Sequence, residues 1–80
     1  MDIRAKVGQR IRELRKEIGL TQEALSFKAE VDKTYVNEVE NGKRNVSIIN
    51  LEKIVLALEV SVTEFFAHPV FAEKIKEGKA

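Results

Sequence analysis

The sequence predicts an all-α fold, a compact five-helix domain followed by a short C-terminal extension. Three observations predict it. Apolar side chains recur at three- and four-residue spacing along most of the chain. Thr21, Asp32, Ser47 and Ser61 each stand just ahead of such a stretch, where a side-chain oxygen can cap a helix. The only proline of the 80 residues is Pro69, and no linker, repeat or low-complexity tract divides the chain. A chain of this length supports one small core, close to the size at which stability becomes marginal, so dimerisation would help.

Helix one is expected over residues 3 to 18. Val7, Ile11, Leu14 and Ile18 form its inner side, and Arg4, Lys6, Arg10, Arg12, Lys16 and Glu17 lie on the rest. Gly19 is the natural left-handed stop, with Leu20 folding back onto the last turn. Thr21 caps a second, short helix whose apolar spacing comes from Ala24, Leu25 and Ala29. Phe27 falls between those core positions, where ordinary packing is the expectation and a surface contact with a partner the alternative.

Asp32 caps the third helix. Val36 and Val39 face inward with Tyr35 beside them, which leaves Lys33, Thr34, Asn37, Glu38 and Asn41 on the outer side. Asn41-Gly42 ends it, and Lys43-Arg44-Asn45 makes a short basic loop. Ser47 then caps a helix from Ile48 to Leu58, with Leu51, Ile54, Val55 and Leu58 on its core side and Glu52, Lys53 and Glu59 toward water. Ser61 and Glu64 have the spacing of a capping box, so the fifth helix starts near Val62. The adjacent Phe65 and Phe66 point about 100° apart on a helix, and one small core cannot bury both completely. One is expected to finish the core and the other to be available to a partner subunit. Pro69 can open a further short helix with Val70, Phe71 and Ile75 on its apolar side, fraying from Lys76 with Gly78 as a breaker.

Composition excludes several classes of function. With no cysteine there are no disulfides or thiolate metal sites, and one histidine, His68 ahead of a proline, offers no catalytic constellation or metal site. The charged N-terminus lacks a signal-peptide core and no apolar run approaches the roughly 18 residues of a membrane span, so a cytoplasmic protein is expected. The net charge of +1 carries no general polyelectrolyte signal, and any surface for nucleic acid must arise from placement in the fold.

Arg15, Gly19, Thr21-Gln22, Leu25, Val31, Val36 and Glu40-Asn41-Gly42, continued by Leu51 and Ala57-Leu58-Glu59-Val60, give the chain a specific likeness. Over about residues 5 to 66 it resembles the helix-turn-helix proteins of the phage-repressor and Cro (XRE) type. Asp32-Lys33-Thr34-Tyr35 and Lys43-Arg44-Asn45 further resemble the controller proteins of restriction–modification systems. The resemblance implies a lambda-repressor-like DNA-binding domain at 1–66, with its motif at 21–42, and an extension at 67–80 at or near a dimer interface or folded back on its own subunit. It also implies Glu30 in place of the glycine usual at the turn of the motif, at a cost of roughly 1 kcal/mol if the left-handed conformation is kept.

The same resemblance supplies roles. Arg15 and Glu40 are implied to form an ion pair, since a planar guanidinium can clamp a carboxylate bidentately. Lys33, Thr34, Tyr35, Asn37 and Glu38 become candidates for base readout. Lysine can donate to guanine, asparagine can pair with adenine, glutamate can accept from cytosine, and threonine can meet a thymine methyl or a polar edge. Gln22, Asn41, Lys43, Arg44 and Asn45 become candidates for phosphate contact. Phe65, Phe66 and Phe71 are the candidates for the dimer interface. The function implied is a homodimeric transcriptional regulator that binds a pseudo-palindromic operator in double-stranded DNA, autoregulates, and takes no cofactor or small-molecule ligand. The alternatives are a phage-type repressor, the antitoxin of a toxin–antitoxin pair, or a protein-interaction module that leaves DNA alone.

Overall fold

The computed structural model describes residues 1–72, so the expectations for Ile75, Lys76 and Gly78 lie outside the described residues. Five α-helices follow one another: α1 (Ile3–Glu17), α2 (Gln22–Ala29), α3 (Lys33–Glu40), α4 (Ile48–Ala57) and α5 (Val62–Phe66), with a single 3₁₀ turn at Pro69–Phe71. Each α-helix begins at a side-chain cap. Asp2, Thr21, Asp32, Ser47 and Ser61 accept from backbone N–H groups of their first turns, and Ser61 with Glu64 completes the reciprocal capping box.

The ends are equally local. Gly19 and Gly42 take left-handed backbone at φ 73° and 71°, and the chain beyond each folds back, Leu20 N–H donating to Arg15 and Lys43 N–H to Glu38. Glu30 holds the same conformation at φ 58° without being glycine, and so does Glu59 at φ 66°. Ile18, expected on the inner side of α1, caps its C-terminus and is partly exposed.

Val7, Ile11 and Leu14 of α1, Leu25 and Ala29 of α2, Val36 and Val39 of α3, Ile54, Val55 and Ala57 of α4, Leu58 and Phe65 form one core. Full burial of each large member contributes roughly 1.5–3 kcal/mol. Helix α3 is wedged between α1 and α2, and α2 also lies on α4. That wedge needs Gly8: a Cβ there would run into the carbonyl oxygens of Val39 and Glu40, the latter at 2.6 Å. Two expectations for α2 are corrected. Ala24 faces solvent, and Phe27 projects outward at 87% exposure, because the short helix turns only Leu25, Ser26 and Ala29 inward. No helix among the described residues is long and apolar enough to cross a membrane.

Candidate nucleic-acid interface

Helix α3 offers a polar outer side because its inner side is used up. Val36, Val39 and Glu40 are buried, whereas Lys33, Thr34 and Asn37 are exposed and Glu38 and Tyr35 are partly so. The start of α2 and the loop from Asn41 to Asn45 flank that side.

Glu40 is the centre of the arrangement. Its side chain has 0% exposure, and Arg15 reaches it with both ends of the guanidinium fork, Nε to Oε2 at 2.6 Å and Nη2 to Oε1 at 2.9 Å. A third Arg15 donor meets the Leu20 carbonyl at 2.9 Å, so α1, the turn before α2 and the end of α3 are tied together. Gln22 donates to Oε1 at 3.0 Å and Arg12 lies 3.5 Å from the same oxygen. Burial is the largest single influence on the Glu40 carboxyl and would raise its pKa. The bonds from Arg15 and Gln22, with the charges of Arg15 and Arg12, outweigh it and hold the group below the usual carboxylate range. Its hydrogen bond holds Arg15 above the ordinary arginine value against the effect of burial.

From Glu40 the bonding runs outward to the exposed face. The Gln22 carbonyl accepts from Asn37 Nδ2 at 3.1 Å. Asn41 Nδ2 donates to the Asn37 backbone carbonyl at 2.9 Å and to its Oδ1 at 3.3 Å, while Asn41 Oδ1 accepts from Arg12 at 3.0 Å. The candidate residues Gln22, Asn37 and Asn41 are thus members of one network. Glu38 and Arg44 are also joined, Nε to Oε1 at 2.9 Å, and the Arg44 guanidinium lies 4.8 Å from the centre of the Tyr35 ring. The Tyr35 hydroxyl accepts from Asn50 at 3.3 Å. Lys33, Thr34, Lys43 and Asn45 are exposed, and neither lysine ammonium has a partner among the described residues.

The three phenylalanines expected at a dimer interface separate. Phe65 is a correction: it is 0% exposed, sealed in the core by its neighbours, and has no surface to offer a second subunit. Phe71 is partly buried and props Phe66, with ring centres 4.8 Å apart; Phe66 keeps an exposed edge. Beside Phe66 lies an apolar groove lined by Ile48, Ile49, Leu51 and Val62, in which Ile48 and Ile49 are 85% and 71% exposed. The two isoleucines were not singled out from the sequence, although they fall off the α4 side carrying Leu51, Ile54, Val55 and Leu58. Two arginines of α1 were also missed as structural elements. Arg12 joins the network, and Arg10 donates to the carbonyls of Phe65 at 2.8 Å and Glu64 at 3.0 Å, fixing the end of α5. Nothing in the sequence marks these partners, which lie far away along the chain.

Comparison with known proteins places this geometry. Residues 11–65 match the family model described as helix-turn-helix. The control protein C.MunI of Mycoplasma sp is 43% identical over 67 residues, covering 82% of this chain and 90% of its own. The crystal structure of the restriction-modification controller protein C.AhdI from Aeromonas hydrophila is similar at a TM-score of 0.76 and 48% identity, over 79% of this chain and 96% of that one. The controller protein C.Esp1396I, as a tetramer in complex with its natural 35 base-pair operator, is similar at a TM-score of 0.78 and 41% identity, over 82% and 87% of the two chains.

Proposed function

Since this chain belongs to the helix-turn-helix family, we propose that it is a sequence-specific DNA-binding transcriptional regulator of the controller type, acting as a homo-oligomer on an operator that includes its own promoter. The observation that carries this reading is the outer side of α3, where exposed Lys33, Thr34 and Asn37 stand clear of a helix locked from behind by Arg15 and Glu40. A helix of that length fits the major groove, and residues of its first turns approach base edges. Lys33, Thr34 and Asn37 are the base readers. Tyr35 and Glu38 stand behind them, each only partly exposed. Lys43, Asn45 and Arg44 meet phosphate from the loop, and Gln22 and Asn41 do so from the edge of the network.

The dimer surface is the apolar groove of α4 and α5, covered by a second copy of the same chain. Ile48, Ile49, Val62 and Phe66 replace the trio of phenylalanines as its centre. An oligomer is already known on the operator of C.Esp1396I, and two weak modules on one DNA reach a specificity that one cannot. Binding rather than catalysis is the activity, and the cytoplasm is its place.

The test is selection of genomic fragments with purified protein near physiological salt, followed by a native mass measurement of the bound species. A pseudo-palindromic fragment upstream of the protein's own gene, occupied by two or four copies, is the expected result. Recovery of no preferred fragment by folded protein would reject the reading in favour of a protein-interaction module.

A further inference from the structure

The charged members of the network can bond in only one sense. The ionised Glu40 carboxylate only accepts and the Arg12 guanidinium only donates, whereas Gln22, Asn37 and Asn41 carry amides that could be turned either way. Glu40 therefore forces Gln22 to present its NH₂ group inward, which leaves the Gln22 oxygen for Asn37, and Asn37 must then donate to it. From the other end, Arg12 forces Asn41 to present its oxygen, so the Asn41 NH₂ group turns to Asn37 and is accepted by its backbone carbonyl and by Oδ1. The two chains of bonds arrive at Asn37 with the same demand. Turning the Asn37 amide over would set two carbonyl oxygens against each other on one side and two NH₂ groups on the other.

We infer that Glu40 and Arg12, through Gln22 and Asn41, are positioning residues that fix the polarity of the Asn37 amide, so that it reads adenine in one orientation only. The inference rests on Asn37 as a base reader. One N–H of Asn37 goes to Gln22 and one lone pair of Oδ1 goes to Asn41. The remaining N–H and lone pair suit adenine N7 and N6 respectively. An amide free to turn can donate to thymine O4 of the inverted base pair, whereas a fixed one sets its oxygen against that acceptor and penalises the inversion.

Selection from a random duplex library at constant salt, with binding then measured on the recovered operator and on each of its single base-pair variants, tests the inference. Asn37→Ala identifies the base pair concerned by levelling the preference there. Gln22→Met and Arg12→Met leave the bidentate Arg15–Glu40 bonds in place, and thermal melts check that both fold. Each should lower the preference for adenine over its inversion at that same pair by about tenfold while preferences at other pairs stand. Neither should lower it further in the Asn37→Ala background. If either methionine variant weakens all sequences equally and leaves the preference intact, Gln22 or Arg12 is a phosphate contact only; the inference is overturned while the role of Asn37 stands. If Asn37→Ala changes no preference, the reading of Asn37 fails and the inference falls with it.

Discussion

Glu40 carries its charge where no part of the side chain meets solvent, so its worth depends on pH. Its folded pKa lies below the ordinary glutamate value of 4.5, so the native state is favoured by its ionisation at any pH above that value. This stability is lost as pH falls from 4.5 through the folded value. Denaturant titrations over that acid range should show the loss in the parent and a flatter profile in Glu40→Gln. At neutral pH the same variant should lose about 3–5 kcal/mol, since it leaves Arg15 charged with no opposite partner. Glu30 presents the opposite situation. Its φ of 58° is unfavourable for any side chain, so Glu30→Gly should gain roughly 1 kcal/mol and raise the melting temperature by a few degrees. The pairing of Arg15 with Glu40 was legible through a family resemblance, and the strain at Glu30 through a missing glycine. That Gln22, Asn41 and Arg12 complete the same network was not, because Gln22 and Arg12 meet partners on a different helix that only the tertiary fold brings close.

At the level of helices, boundaries were legible to within about a residue, since caps and stops depend on a few neighbouring side chains. Facing was less so. Helix α2 has only two turns, and its pattern fits several orientations, which is how Phe27 was taken for a packed residue and Ala24 for an inner one. The close backbone contact of α1 with α3 at Gly8 was hidden for another reason. Gly8 in mid-helix weakens α1 by roughly 1 kcal/mol, a cost that makes sense only against the carbonyls of α3. Gly8→Ala should improve α1 as an isolated helix yet destabilise the protein by about 1–3 kcal/mol, because backbone must move to admit the methyl group. Circular dichroism of an α1 peptide alongside urea unfolding of the protein separates the two effects.

For the whole molecule, the exposed isoleucines begin the helix that directly follows the basic loop, so the proposed assembly surface and the proposed phosphate-contacting loop are joined by one short connection, residues 41 to 47. Ile49→Asp should leave the helical content intact, shift sedimentation to the monomer, and weaken operator binding at least about a hundredfold at low protein concentration. A dimer that survives this change would move the interface elsewhere. The chain also holds one tyrosine and no tryptophan. Tyr35 therefore accounts for its near-ultraviolet emission, from a ring lying under Arg44 at the edge of α3. On the proposed reading, Arg44 turns to a phosphate and uncovers the chain's one tyrosine. The protein thus carries its own optical probe, and its encounter with DNA can be timed in a stopped-flow instrument without attaching a dye.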